Sequence, residues 1–214
     1  DYKPTCALIN ISGIDSLPTA KGTNSHAWME AWDKRGNYFR KRVILDLQGR
    51  SSQAQHKQNF SADFCEDEWE GDDTTTIKIG NWVSQDSFHF KAYYTDLFKM
   101  ANMMAYSLWD KFNDTMSILE NRPYKEYYAD SYTPITGDID EFTQNTKDEA
   151  RCAPDGFPAC VYLNGDFYGV FIWQLKKHRD NYMLSRNDTD NIHLDGEDYG
   201  NMFNGNIRWN LLEL

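Results

Sequence analysis

Apolar and polar positions alternate with a period of two along much of the first 95 residues, which is the pattern of strands with one buried face. Ala7 to Ile11 is a short apolar run closed by Gly13. His26 to Asp33 and Tyr38 to Leu47 flank the polar turn Lys34-Arg35-Gly36-Asn37 and predict a hairpin, with Val43, Leu45 and Leu47 on one face and Ile44, Asp46 and Gln48 on the other. Asn59 to Cys65 alternates again through Phe60, Ala62 and Phe64, and Ile77 to Trp82 and Ser87 to Ala92 are apolar and β-prone. The period then changes. Leu97, Met100, Ala101, Met104, Leu108 and Phe112 recur at helical spacing and predict a helix over Asp96 to Phe112, with Thr95 as its N-cap and the methionines as core filler. A second hairpin is predicted for Cys160 to Leu163 and Phe167 to Leu175, around Asn164-Gly165-Asp166. Lys176 to Leu184 reads as a short helix and Asn191 to Leu194 as a final strand. Pro123 to Pro158 is Tyr-rich and without period, which points to a functional or mobile stretch.

Composition narrows the class. The chain has 214 residues, 40% hydrophobic and 15% aromatic, enough for a core and against wholesale disorder. Its 22 basic and 33 acidic residues give a net charge of −11, which disfavours a general nucleic-acid binder. No apolar run reaches the roughly 18 residues of a membrane span. The start at Asp1-Tyr2-Lys3-Pro4 is neither an initiator Met nor a signal peptide, and Arg208 to Leu214 stops inside an apolar run. Both ends suggest a processed or truncated product.

The four cysteines, Cys6, Cys65, Cys152 and Cys160, fit no CxxC metal pattern. Cys152 and Cys160 enclose a turn-rich segment that a disulfide can close; four reduced thiols are the equal alternative, and spacing does not choose among the pairings. The acidic run Glu66 to Asp73 reads as a solvated loop rather than a cation site. The five histidines show no metal spacing. Tyr124, Tyr127, Tyr128 and Tyr132 suit an interface or a carbohydrate grip.

Three islands carry the candidate chemistry. The first is Gln48-Gly49-Arg50-Ser51-Ser52 followed by His56-Lys57-Gln58-Asn59-Phe60. Gly and two Ser at a strand end offer amides and hydroxyls to a phosphate, and Lys57 adds a point charge. The second runs from Phe88 to Asp96 and on to Asn102, Ala105 and Tyr106, where Asp96 either orients a lysine or caps the helix. The third runs from Val161 to Phe171 and ends in the basic patch Lys176-Lys177-His178-Arg179, suited to a phosphate, to an acidic partner, or simply to solvent.

In this order the islands resemble the CotH family of spore-coat-type atypical protein kinases. The resemblance rests on Gly49-Arg50-Ser51-Ser52, Lys57-Gln58-Asn59-Phe60, Ala92 to Asp96, Asn102, Ala105-Tyr106 and Leu163 to Phe171. It implies a kinase-like α+β fold, ATP and Mg²⁺ as cofactors, and a protein substrate. It further places Ser51, Ser52 and Lys57 at the phosphates, and Asp96 and Asn102 between two lobes. The chain departs from the pattern at Gln58, Ala101 and Leu175, where the family has Lys, Arg and an acidic residue, and the family's later Asp-rich metal motif has no convincing counterpart. The expectation is therefore an N-terminal antiparallel sheet over residues 1–95, then a long helix and a second hairpin over 96–214. The kinase so implied is incomplete or degenerate, with no protein metal ligand and no catalytic residue assigned. The alternative is a non-catalytic structural or binding module, since CotH-like domains also occur in phage structural proteins. That setting implies a cell surface or virion rather than the cytoplasm, and an assembly partner or oligomer.

Overall fold

The computed structural model describes residues 6–32, 38–49, 51–66, 74–77, 79, 82, 84–115, 154–177, 194–196 and 209–211. Seven strands close into a barrel: β1 (Ala7–Ser12), β2 (Ser25–Trp32), β3 (Tyr38–Gln48), β4 (Asn59–Cys65), β5 (Ser87–Lys91), β6 (Gly156–Leu163) and β7 (Asp166–Leu175). The order around the barrel is β1-β2-β3-β4-β5-β7-β6. Every neighbouring pair is antiparallel except β1 with β6, which run parallel from Ala7↔Ala159 to Ile11↔Leu163 and make the closing seam. Closure removes the unpaired edges that an open sheet would expose. Helix α1 (Ala101–Thr115) leaves the barrel after β5, and β8 (Leu194–Gly196) pairs with β9 (Trp209–Leu211) in a separate ribbon.

The alternation read from the sequence is the inside–outside rule of this barrel. Ile9 and Ile11, Met29, Val43 and Leu45, Phe60 and Phe64, Phe88 and Phe90, Val161, and Phe171, Trp173 and Leu175 all point inward and are buried. Small residues fill in where rings need room: Ala27, Ala31, Ala62 and Ala159 are also interior. Trp173 is the hub, with Phe90 and Phe157 each 5.4 Å away between ring centroids, Phe88 at 5.9 Å and Phe39 at 6.2 Å. Offset and edge-on contacts of this kind add to the burial of each ring.

The kinase-like α+β expectation is overturned. The molecule is mostly β, and α1, with 15 residues, is the one α-helix among the described residues. The second hairpin closes the barrel instead of following it as an accessory, because β7 pairs with β5 and β6 pairs with β1. The helix also begins later than its periodicity implies. Lys99 has φ 58°, which breaks helical geometry, and the first helical amide, that of Ala101, is held by Asp96. Its apolar stripe is not core: Leu97 is 86% exposed, Met104 63% and Leu108 70%. The methionines of this stripe therefore do not fill the barrel. Ile77 makes only an isolated bridge to Gln85 rather than opening a strand. The acidic run beyond Glu66, the tyrosines at 124–132, Cys152, His178, Arg179 and the short helix expected after Lys177 lie outside the described residues.

Candidate functional site

The first island folds into a tight polar turn between β3 and β4. Gly49 sits at φ 105°, and a Cβ there would fall 2.0 Å from Ser52 Oγ, so only glycine lets the chain fold back this closely. Ser51–Ala54 then forms one 3₁₀ turn. Ser52 Oγ donates to Gln48 O at 3.4 Å, and Gln58 Nε2 donates to Gln53 O at 2.7 Å, which fastens the turn to itself. Asn59 links this turn to the second island. Its Nδ2 donates to Ser52 Oγ at 3.1 Å, and its Oδ1 accepts from the Ala92 amide at 2.7 Å.

Between the two islands lies a pocket of about 120 Å³. Ser52, Gln55, Lys57 and Asn59 line one side and Tyr93, Tyr94 and Thr95 the other. Space of this order holds a few waters or one tetrahedral anion. The third island supplies the slot for the lysine. Gly169 sits at φ 155°, beside an irregularity in the β6–β7 register, and a Cβ there would approach Lys57 Cε to 3.0 Å and Nζ to 3.1 Å. Lys57 Nζ donates to the Val170 carbonyl and lies 4.2 Å from the centroid of the Phe171 ring. Burial, and then the positive charge of Lys99, hold the Lys57 ammonium below its ordinary pKa. An anion in the pocket would offset both effects, because it adds an ionic partner to the partly desolvated ammonium and counters the repulsion from Lys99. Lys99 is anchored nearby by donating to the Tyr94 carbonyl, with its Nζ 5.2 Å from the Tyr94 ring.

Next to the pocket, the outward face of β4, β5 and β7 carries a half-buried polar belt. Lys91 donates to Gln48 Oε1, and burial followed by the charge of Lys177 brings its pKa down to about 8. Lys176 pairs with Asp63 at 3.2 Å. The Tyr93 hydroxyl donates to Gln174 Oε1 and shares hydrogen bonds with Asn102 and Tyr106 of α1; burial first of all raises its pKa to about 12. His89, flanked by Ser61 on β4 and Gln174 on β7, is pushed down to about 2 by burial and then by Lys91 and Lys176.

The residues expected at the site therefore divide. Ser52 and Lys57 share the pocket, and Ser51 opens the 3₁₀ turn beside it. Asp96 serves as a cap: its Oδ2 accepts from Ala101 N at 2.7 Å and its Oδ1 from Phe98 N at 3.0 Å, and these bonds, that from Ala101 foremost, lower its pKa. Asn102 does not line the pocket itself but hydrogen-bonds to Tyr93, which does. Of the basic patch, Lys176 is taken up by Asp63, and Lys177 stands exposed near Lys91. Asn59, Lys99 and Gly169 are contributors that no motif singled out for the site. Asn59 and Gly169 lay inside the quoted islands, and only the register shows what each one meets.

A Mg²⁺ held by the protein does not fit the pocket as described. Its lining offers hydroxyl, amide and ammonium groups but no carboxylate, whereas Mg²⁺ sites are built on carboxylate and phosphate oxygens. Among the described residues no group of three or more His, Cys, Asp or Glu is placed to hold a metal ion. Also among these residues, no helix is long and apolar enough to cross a membrane. In comparison with known proteins, no family model and no curated protein matches the chain.

Proposed function

We propose that the chain is a phosphate-binding protein whose pocket between Ser52, Lys57 and Tyr94 receives the phosphates of a nucleotide such as ATP. One observation carries the reading: three separated segments converge to hold a partly desolvated lysine at the mouth of a polar pocket, with a second lysine beside it. A cation kept short of solvation, next to hydroxyl and amide donors, is a poor structural element and a good anion receptor. A protein is the partner on this reading, and Mg²⁺ would arrive on the nucleotide, because the pocket lining offers it no carboxylate.

A second reading is an assembly module of a cell surface or virion, favoured by the exposed stripe Leu97, Phe98, Met104 and Leu108. Titration calorimetry separates the two. The chain is expected to bind ATP, and Lys57→Met is expected to weaken binding about 10- to 100-fold, the range of one lost charge-assisted hydrogen bond. ATP that binds wild type and mutant alike removes Lys57 from the site. No binding, together with concentration-dependent association of the chain, favours the second reading.

A further inference from the structure

We propose that Cys6 and Cys160 form a disulfide that locks the closing seam of the barrel. Their sulfurs lie 3.3 Å apart although the residues are 154 positions apart in the chain. The seam explains the meeting. Cys160 on β6 is the register partner of Leu8 on β1, and Cys6 lies two residues before Leu8. Ala7, Ile9, Ala159 and Val161 point into the barrel, so Cys6 and Cys160 both leave on the outer side. A disulfide requires the sulfurs to approach to about 2.05 Å. Cys6 stands just before β1, outside the paired ladder, so its backbone can yield to that approach. Both residues are partly exposed and reachable by an oxidant.

The site lies at the one parallel junction of the barrel, where two distant parts of the chain meet without a connecting turn. A cross-link there closes nearly the whole barrel into a covalent loop, the arrangement in which a disulfide most restricts the unfolded chain. The oxidant is a small disulfide such as glutathione disulfide. One protein thiolate attacks it, forming a mixed disulfide and releasing one glutathione thiolate. The second protein thiolate then attacks the mixed disulfide and releases the other. The protein loses two electrons and two protons, and the oxidant leaves as two thiols. Burial, and next the neighbouring Cys6, hold the Cys160 thiol above its ordinary pKa, so the exchange is expected to quicken in alkali. Persistence of the bond suits an oxidising compartment.

The test is peptide mapping after treatment of the chain with glutathione disulfide, alkylation of the remaining thiols and digestion with trypsin without reduction. Trypsin leaves Cys6 in peptide 1–21, because Lys3 precedes Pro4, and leaves Cys152 and Cys160 together in peptide 152–176. The proposal expects these two peptides to be joined. The link should survive Cys152→Ser and vanish in Cys160→Ser, and the oxidised chain should melt about 5–15 °C above the reduced one. A closed loop within peptide 152–176, a link to the peptide of Cys65, or complete alkylation of Cys6 and Cys160 after oxidation would each overturn it.

Discussion

Replacing Trp173 with alanine is expected to cost about 3–5 kcal/mol of stability, which is the range for deleting a large buried ring. Trp173 is fully buried, and four phenylalanines from β3, β5 and β6 surround its indole. None of these rings can collapse far into the space, because each is tied to its own neighbours: Phe90 stacks on Phe60 at 4.7 Å, and Phe88 meets Phe64 at 5.8 Å. A domain of ordinary stability has about 5–15 kcal/mol in all, so the variant should be marginal or unfolded at 37 °C. Urea unfolding followed by circular dichroism measures the loss. Leu108→Ala on the exposed stripe of α1 is the control and should change stability by no more than about 0.5 kcal/mol. A loss below about 1 kcal/mol for Trp173→Ala would mean that the barrel core is not organised around this ring.

Acid should destabilise the barrel through His89. In the folded chain its imidazole titrates near 2, against 6.5 for an ordinary histidine. Below pH 6.5 the unfolded chain takes up a proton that the folded chain refuses, so the unfolded state binds more protons and stability falls as the pH falls. Well below pH 6.5 each pH unit costs about 1.4 kcal/mol, so going from pH 7 to 5 removes about 2 kcal/mol through this residue alone. Burial is the main cause of the refusal; Lys91 and Lys176 add to it by repelling the charged ring, while Asp63 is engaged by Lys176 and Ser87. Stability measured across pH 5–7 on wild type and His89→Gln cancels the contribution of the carboxylates. The wild type is expected to lose about 2 kcal/mol more than the variant, and parallel curves would show that His89 accepts its proton in the folded state.

The strands were legible because alternation is a local signal. β4 has the bounds that the alternation of Asn59 to Cys65 predicts, β2 and β3 pair antiparallel as expected, and the second hairpin turns at Asn164, with φ 51°, and Gly165, with φ 90°. Closure was not legible. The β1–β6 junction joins residues about 150 positions apart, and nothing in either segment names the other. An apolar period likewise reports that a face exists and not what it faces. Leu97, Met104 and Leu108 kept helical spacing yet point to solvent, while the contacts of α1 toward the barrel run through the polar Asn102 and Tyr106 to Tyr93. The site was legible in part. Ser52 and Lys57 carry chemistry in their own side chains, so composition and spacing could raise them. Gly169 contributes by lacking a side chain beside Lys57, and Lys99 by standing near it; both roles exist only once β7 and the α1 approach are in place.

On the proposed reading, the turn between β3 and β4 and the segment that follows β5 together hold a phosphate. Two-dimensional NMR of the isotope-labelled chain, titrated with ATP, tests it most directly, because each amide reports its own surroundings. Saturable shifts are expected centred on Ser52, Gln55, Lys57, Asn59, Tyr94 and Thr95, reproduced by inorganic triphosphate and lost in Lys57→Met. Saturable shifts centred elsewhere, or none at all up to millimolar nucleotide, would contradict it.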